Sequence, residues 1–132
     1  MPVIKIQHSG EPLSKDTCTV LQRQVTGLIN RVLGKAVPVT AVLINSLPDQ
    51  QWSVGGDAIA HHQSVLMEIY ITSGTNSEDE KRQMVSEAYS LLEASLGALV
   101  EASYVVIQEL APSDWGYGGV TQDERRRIKA QT

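Results

Sequence analysis

The sequence predicts an α+β fold: a tandem β-α-β repeat forming one four-stranded sheet, with two antiparallel helices on one face. Three observations predict it. Slid along itself at one constant offset, the chain matches its own second half without a gap, so that Ile6 falls on Ile69, Ser14 on Ser77, Asp16 on Asp79, Leu28 on Leu91, Gly34 on Gly97 and Ile44 on Ile107. A fixed internal period of this kind marks a duplicated supersecondary unit. The apolar spacing within each copy reads strand, helix, strand. Each copy also closes on a tryptophan followed by a glycine pair, WSVGG from Trp52 to Gly56 and WGYGG from Trp115 to Gly119.

The elements follow in order. Val3-Ile4-Lys5-Ile6 is short and β-branched, and Gly10-Glu11-Pro12 ends it with turn residues. Ser14 is placed as a helix N-cap. Leu21, Val25, Leu28, Ile29 and Val32 then recur at three- and four-residue spacing, giving one apolar helical face. Gly34 ends that helix and Pro38 keeps it ended. Thr40 to Leu47 forms the second strand. The second copy repeats the pattern with a strand from Leu66 to Ile71 and a helix starting at Ser77. Glu78, Asp79 and Glu80 lie in that helix's first turn, where the helix dipole favours acids. Met84, Ala88, Leu91, Leu92 and Leu96 give its buried face, and Tyr104 to Leu110 the closing strand. The pairs Gly55-Gly56 and Gly118-Gly119 read as turns needing positive φ. No Lys-Ser/Thr follows them to make a phosphate loop. Two such units with right-handed crossovers put both helices on one sheet face. The strands are nearly continuous in apolar residues, so the other face is expected to be covered by self-association.

Composition bounds the function. At 132 residues the chain is long enough for one compact domain, residues 1–132, with copy one at 2–60 and copy two at 65–127. Its 42% hydrophobic and 20% charged residues are those of an ordinary globular protein. No 18-residue apolar run suggests a membrane span, and no charged-then-apolar leader precedes the fold, so a cytoplasmic location is expected. A single cysteine, Cys18, fits a reducing compartment. A net charge of −4 argues against nucleic-acid partners. The basic run Arg125-Arg126-Arg127 is expected to be a solvated tail. His61-His62 lie between the copies with no Cys or carboxylate at ligand spacing, so neither a metal site nor a cofactor is expected.

One asymmetry breaks the repeat. The chain opens Met1-Pro2, whereas the position of the second copy that corresponds to Pro2 is Val65. Trimming of the methionine turns Pro2 into an N-terminal secondary amine, a base and nucleophile that only one copy carries. An α-amino group titrates at about 8 in water, and apolar burial lowers that value toward the range where a general base works at neutral pH. If the methionine stays, the nitrogen is an amide and the chemistry is absent.

The N-terminal proline, short strand, acidic helix start, second strand and aromatic-x-x-Gly-Gly together resemble the tautomerase superfamily, whose simplest member is 4-oxalocrotonate tautomerase. The second copy, from Leu66 to Arg127 with the stretch VVIQELAPSDWGYGG, resembles that enzyme more closely than the first. The two-copy layout is similar to malonate semialdehyde decarboxylase, to cis-3-chloroacrylate dehalogenase and to fused forms of the tautomerase. The resemblance implies a homotrimer with Pro2 at the bottom of an apolar pocket, acting on a small-molecule substrate. It implies that Trp115 lines that pocket, while Trp52 takes the equivalent place beside Val65; core packing is the other reading of both. Arg126 aligns with an arginine that the tautomerase lends to a neighbouring site.

The chain departs from the family at its arginines. Where the tautomerase carries one after the first strand stand Ser9-Gly10-Glu11-Pro12, and where it carries one in the second strand stand Leu43 and Tyr104. The decarboxylase and dehalogenase relatives carry paired arginines where this chain has Ser73-Gly74-Thr75-Asn76, and an acid where it has Thr40 and Ala41. Arginine grips carboxylates with a bidentate fork that tyrosine and leucine do not replace. Tyr104 remains as a phenol able to donate to a carbonyl oxygen. His8 shares a strand face with Pro2 through Ile4 and Ile6, which makes it either a pocket-mouth residue or a surface histidine at a strand end. The reading is therefore a proline-based tautomerase or isomerase, shifting a proton on a small enol or keto acid. The alternatives are a dehalogenase, hydratase or decarboxylase on the same amine, or a non-catalytic trimer that retained the fold.

Overall fold

The computed structural model describes residues 1–59 and 61–131; the expected ends of copy one at 60 and of the chain at 132 lie outside the described residues. In chain order the elements are β1 (Val3–Ser9), α1 (Lys15–Leu33), β2 (Ala41–Leu47), β3 (Ser53–Val54), β4 (Asp57–Ala58), β5 (Val65–Thr72), α2 (Glu78–Leu96), β6 (Tyr104–Leu110), β7 (Gly116–Tyr117), β8 (Val120–Thr121) and α3 (Gln122–Gln131). The four long strands form one mixed sheet in the order β2-β1-β5-β6. β1 pairs in parallel with β2, and β5 with β6, while the central β1/β5 pair is antiparallel. Two β-α-β units thus meet back to back along the middle of the sheet. One constant offset relates α1 to α2 and β2 to β6, and it holds at both ends of each element.

Sequence chemistry sets the helix ends. Ser14 caps α1 by accepting from the Thr17 N–H, and Gly34 closes it in the left-handed region at φ 71°. Ser77 caps α2 with a full capping box, its side chain accepting from the Glu80 N–H while Glu80 accepts from the Ser77 N–H. Both helices lay their apolar stripe on the sheet: Leu21, Val25, Ile29, Met84, Ala88 and Leu92 meet Ile4, Ile6, Met67, Ile69 and Ile71, all at 0–1% exposure. Burying a side chain of this size contributes about 1.5–3 kcal/mol, so this layer dominates the stability.

Two expectations need correction. The opposite sheet face is not apolar: Lys5, Gln7, Asn45, Glu68, Tyr70 and Gln108 share it with Leu43, Tyr104 and Val106. There the Lys5 ammonium sits 5.2 Å from the Tyr70 ring centre, and the Tyr70 hydroxyl donates to Glu68 at 2.6 Å. The error lay in reading strand runs as uniformly apolar when their alternate residues are polar. Next, Arg125-Arg126-Arg127 are not a loose tail but lie within α3. The Arg125 guanidinium stacks 3.7 Å from the Tyr117 ring centre and donates to the Tyr117 carbonyl at 2.8 Å. The glycine pairs are positive-φ turns as expected, and they close the two-residue hairpins β3-β4 and β7-β8. Gly118 and Gly119 have φ of 62° and 79°, the double positive φ of a type I′ hairpin.

Candidate active site

The N-terminal end of β1 is bounded on both sides by the sheet. Val3 pairs with Ala41 of β2 and with Tyr70 of β5, so the register carried back one step sets Pro2 against Ile71, and a further step sets Met1 against Thr72. Pro2 is buried, and its carbonyl accepts from the Ala41 N–H at 3.3 Å. On the other side of β5, Thr72 pairs with Leu110, the last residue of β6. The chain then turns at Pro112 and returns with Trp115, whose Nε1–H donates to Thr72 Oγ1 at 3.1 Å. A cavity of about 230 Å³ opens beside that indole, lined by Ser113, Asp114, Trp115, Gly119 and Thr121 among others. The β7-β8 hairpin brings α3 back over the N-terminus, where Gln122 Nε2 donates to Met1 Sδ at 2.7 Å.

A lysine that the sequence reading missed completes this end. Lys35 follows the helix-closing Gly34 and is only 9% exposed. Its carbonyl accepts from Asn30 Nδ2 at 2.8 Å, and its ammonium donates to Thr75 Oγ1 at 2.8 Å. Burial pulls its pKa below the usual lysine range, against the raising effect of Glu80; Arg126 lowers it further and Glu109 raises it. The N-terminal amine is also held below its ordinary value, first by burial and then by the Lys35 charge. Glu109 anchors the neighbouring loop: it accepts from Lys81 at 2.7 Å and from the Gly74 N–H at 3.3 Å, and the Lys81 bond holds its carboxyl below the usual range. This end of the sheet therefore gathers an amine disfavoured in its charged form, an ammonium and an indole. Such a set can hold an anion beside a neutral base.

The predicted site residues divide. Pro2 and Trp115 both stand at this end, joined through β5. Arg126 lies in α3, near enough to its own chain's Lys35 to lower its pKa. Tyr104 does not join them within the chain. It begins β6 opposite Leu66, at the other end of the sheet, and is 63% exposed. His8 is also at the other end. It pairs with Val65, about 20 Å along the strand from Pro2 at 3.3 Å per residue, and is 1% exposed. β1 runs to Ser9 instead of stopping at Ile6, so His8 is a core residue and neither a pocket-mouth nor a surface one. Its Nδ1 is 3.1 Å from the Ser9 carbonyl, and its buried Nε2 has no partner among the described residues.

The two ends of the sheet are related by the repeat but not in chemistry. At the far end Val65 stands for Pro2, Ala98 for Lys35, Ser9 for Thr72 and Pro12 for Thr75. Lys35 was legible in principle, since it directly follows the helix-closing glycine and one copy carries a charge there that the other lacks. Among the described residues no three His, Cys, Asp or Glu side chains gather to hold a metal, and no helix is long and apolar enough to cross a membrane.

Residues 66–125 match the family model described as Tautomerase enzyme, the second copy from β5 into α3. A comparison with curated protein sequences gives no match. Among solved structures the chain is similar to Pt0534 inactivated by 2-oxo-3-pentynoate, at 14% identity and a TM-score of 0.81, over 92% of this chain and 98% of that one. It is similar to a wild-type fused 4-OT solved as a symmetric trimer, at 15% identity and a TM-score of 0.81, over 92% and 96% of the two chains. It is also similar to a macrophage migration inhibitory factor-like protein from Entamoeba histolytica, at 19% identity and a TM-score of 0.75, over 91% and 97%. At these identities the structural matches establish the fold.

Proposed function

We propose that the chain, a member of the tautomerase superfamily in its fused two-copy form, shifts a proton on a small enol or keto acid with the amine of Pro2 as general base. The observation that carries this reading is the environment of the N-terminal amine, whose pKa is lowered by burial and by Lys35 at one end of the sheet only. That amine is Met1's; with Met1 removed, the secondary amine of Pro2 is freed one residue further in, where burial of the ring would disfavour its charged form in the same direction. A neutral amine there can accept the hydroxyl proton of an enol, leaving an enolate, or the proton of a carbon α to a carbonyl, whose C–H electrons move into the same enolate. The resulting ammonium then returns a proton to another carbon of the conjugated system.

Lys35 and Arg126 supply positive charge for a substrate carboxylate, in place of the family arginines that the sequence lacks. Trp115 walls the amine from water. Tyr104 sits on an exposed strand end, so its phenol reaches a carbonyl oxygen beside Pro2 only from a second copy of the chain. The similar fused 4-OT is a trimer, and assembly of this chain as a homotrimer would cover the open sheet face and bring such ends together. Water-adding chemistry is disfavoured, since Thr40 and Ala41 stand where relatives carry the activating acid.

The test starts with the intact mass of the purified chain, which shows whether Met1 has been removed. The protein is then treated with 2-oxo-3-pentynoate and assayed on phenylenolpyruvate and 2-hydroxymuconate. One adduct per chain, mapped to Pro2, together with loss of turnover is the expected result. Retained methionine, labelling elsewhere, or no turnover of either compound overturns the reading.

A further inference from the structure

We propose that Thr72 and Thr75 are positioning residues of this site: Thr72 sets the indole of Trp115, Thr75 sets the ammonium of Lys35, and the bond between them ties the two walls together. The inference rests on the proton-shift reading for its functional consequence, but its geometry stands apart from it.

Donor and acceptor capacity dictates the direction of each link. An indole N–H only donates, so Thr72 Oγ1 must accept from Trp115. The Thr75 hydroxyl donates its single proton to the Thr72 carbonyl at 2.6 Å. Its oxygen then presents lone pairs to Lys35, whose Nζ donates at 2.8 Å. An ammonium has three hydrogens and no acceptor, so two remain to meet a carboxylate. Thr72 is 5% exposed, and Asn76 Nδ2 donates to the Leu33 carbonyl at 3.0 Å. The loop of copy two is thereby fastened to the end of α1 just before Lys35.

A lysine stem with four rotatable bonds has much rotamer freedom to lose when fixed, so an unanchored Lys35 would sample positions away from the amine. The loop in question, Ser73 to Asn76, is the one that lacks the arginines of some relatives. Here it carries no charge of its own and holds a lysine imported from the other copy. At the far end no indole-to-lysine link of this kind is formed among the described residues, and the hydroxyls of Ser9, Ser64 and Ser103 bond to backbone and to one another instead. Ser9 accepts there from the Ser64 N–H at 2.9 Å, and Pro12 and Ala98 have no groups to continue it.

The experiment uses Thr75→Val and Thr72→Val in the full chain, each removing a hydroxyl at nearly constant shape, with Thr75→Ser and Thr72→Ser as rescues. Thr75→Val is expected to raise KM for phenylenolpyruvate about tenfold while kcat stays within about threefold. It should also raise the pKa of the N-terminal amine, as the Lys35 charge moves away. That titration is read by NMR on 15N-labelled protein, on Pro2 if Met1 is removed and on Met1 if it is not. Thr72→Val, in a Trp52→Phe background, is expected to open Trp115 to acrylamide quenching and to lower kcat. The serine variants should restore each property. Valine variants that match the parent in amine titration and quenching, or serine variants that fail to rescue, overturn the proposal. Neither of those readouts needs turnover. A parent inactive on both compounds would end the proton-shift reading while the positioning claim is still decided.

Discussion

Lys35 and Ala98 each follow the glycine that closes a helix, Gly34 and Gly97, so one copy-related position holds an ammonium at one end of the sheet and a methyl group at the other. Lys35→Ala makes the two ends alike. It removes the smaller of the two causes that lower the N-terminal amine's pKa and leaves burial in place. The amine's pKa is expected to rise but to stay below its ordinary value, moving the acid limb of the kcat/KM profile to higher pH. A pH–rate profile of parent and variant checks it; an unmoved limb refutes it.

Lys35 also bears on stability. Its folded-state pKa is lowered below 10.5, so the folded chain binds a proton at this site less readily than the unfolded chain does. The resulting destabilisation is full below the folded pKa and disappears above 10.5. Lys35→Met is therefore expected to be more stable than the parent at pH 7, with the gap narrowing as pH is raised toward that value. Urea melts at pH 7 and pH 10 measure it.

Removing Pro2 tests the base. Pro2→Ala is expected to lose about a hundred- to ten-thousand-fold in kcat, with a slightly lower thermal midpoint because the truncated ring is buried. Since the variant keeps a primary amine once Met1 is removed, equal activity in parent and variant would exclude a requirement for the secondary amine.

Tyr104 and Pro2 lie at opposite ends of one sheet, which makes a mixing experiment decisive. Inactive Pro2→Ala and Tyr104→Phe chains, unfolded together and refolded at equal amounts, should recover about a quarter of parental activity if each site combines Pro2 of one subunit with Tyr104 of another. No recovery would show that Tyr104 does not act across subunits.

The capping box of α2 gives a stability prediction. Ser77→Ala is expected to cost about 1 kcal/mol, or about 3–5 °C in Tm. Glu80, held below its ordinary 4.5 chiefly by its bond to the Ser77 N–H, contributes stability that is full above that value and lost as pH falls through its lowered pKa. Glu80→Gln should flatten that acid dependence in thermal melts at pH 3 and pH 6.

Much of the fold could be read before the structure because local and long-range signals agreed. Ser14, Gly34 and Ser77 carry their capping chemistry in the residue itself, and the repeat transfers each assignment to the other copy. Tyr104 to Leu110 emerged as a strand with its bounds intact. What escaped was whatever depends on how far an element continues or what it packs against. His8 looked like a strand end because Gly10 and Pro12 are the nearest breakers, yet the pairing with β2 draws β1 out to Ser9. The polar open face was missed because a count of apolar residues along a strand ignores which side each one takes. Lys35 and Thr75 belong to different copies, and no spacing rule links a residue after one helix to a loop before another.

The fusion itself decides where an amine can exist. The peptide bond between Ser64 and Val65 runs straight into β5, and the Ser64 N–H is already bonded to Ser9. Writing Val65→Pro would thus restore the residue without restoring its function, since the nitrogen would still belong to an amide. Two copies on one chain share a single beginning, so at most one end of this sheet can ever hold a free N-terminal amine. The far end is released from that duty by connectivity alone, whatever side chain it carries, and only a cut before residue 65 would return it.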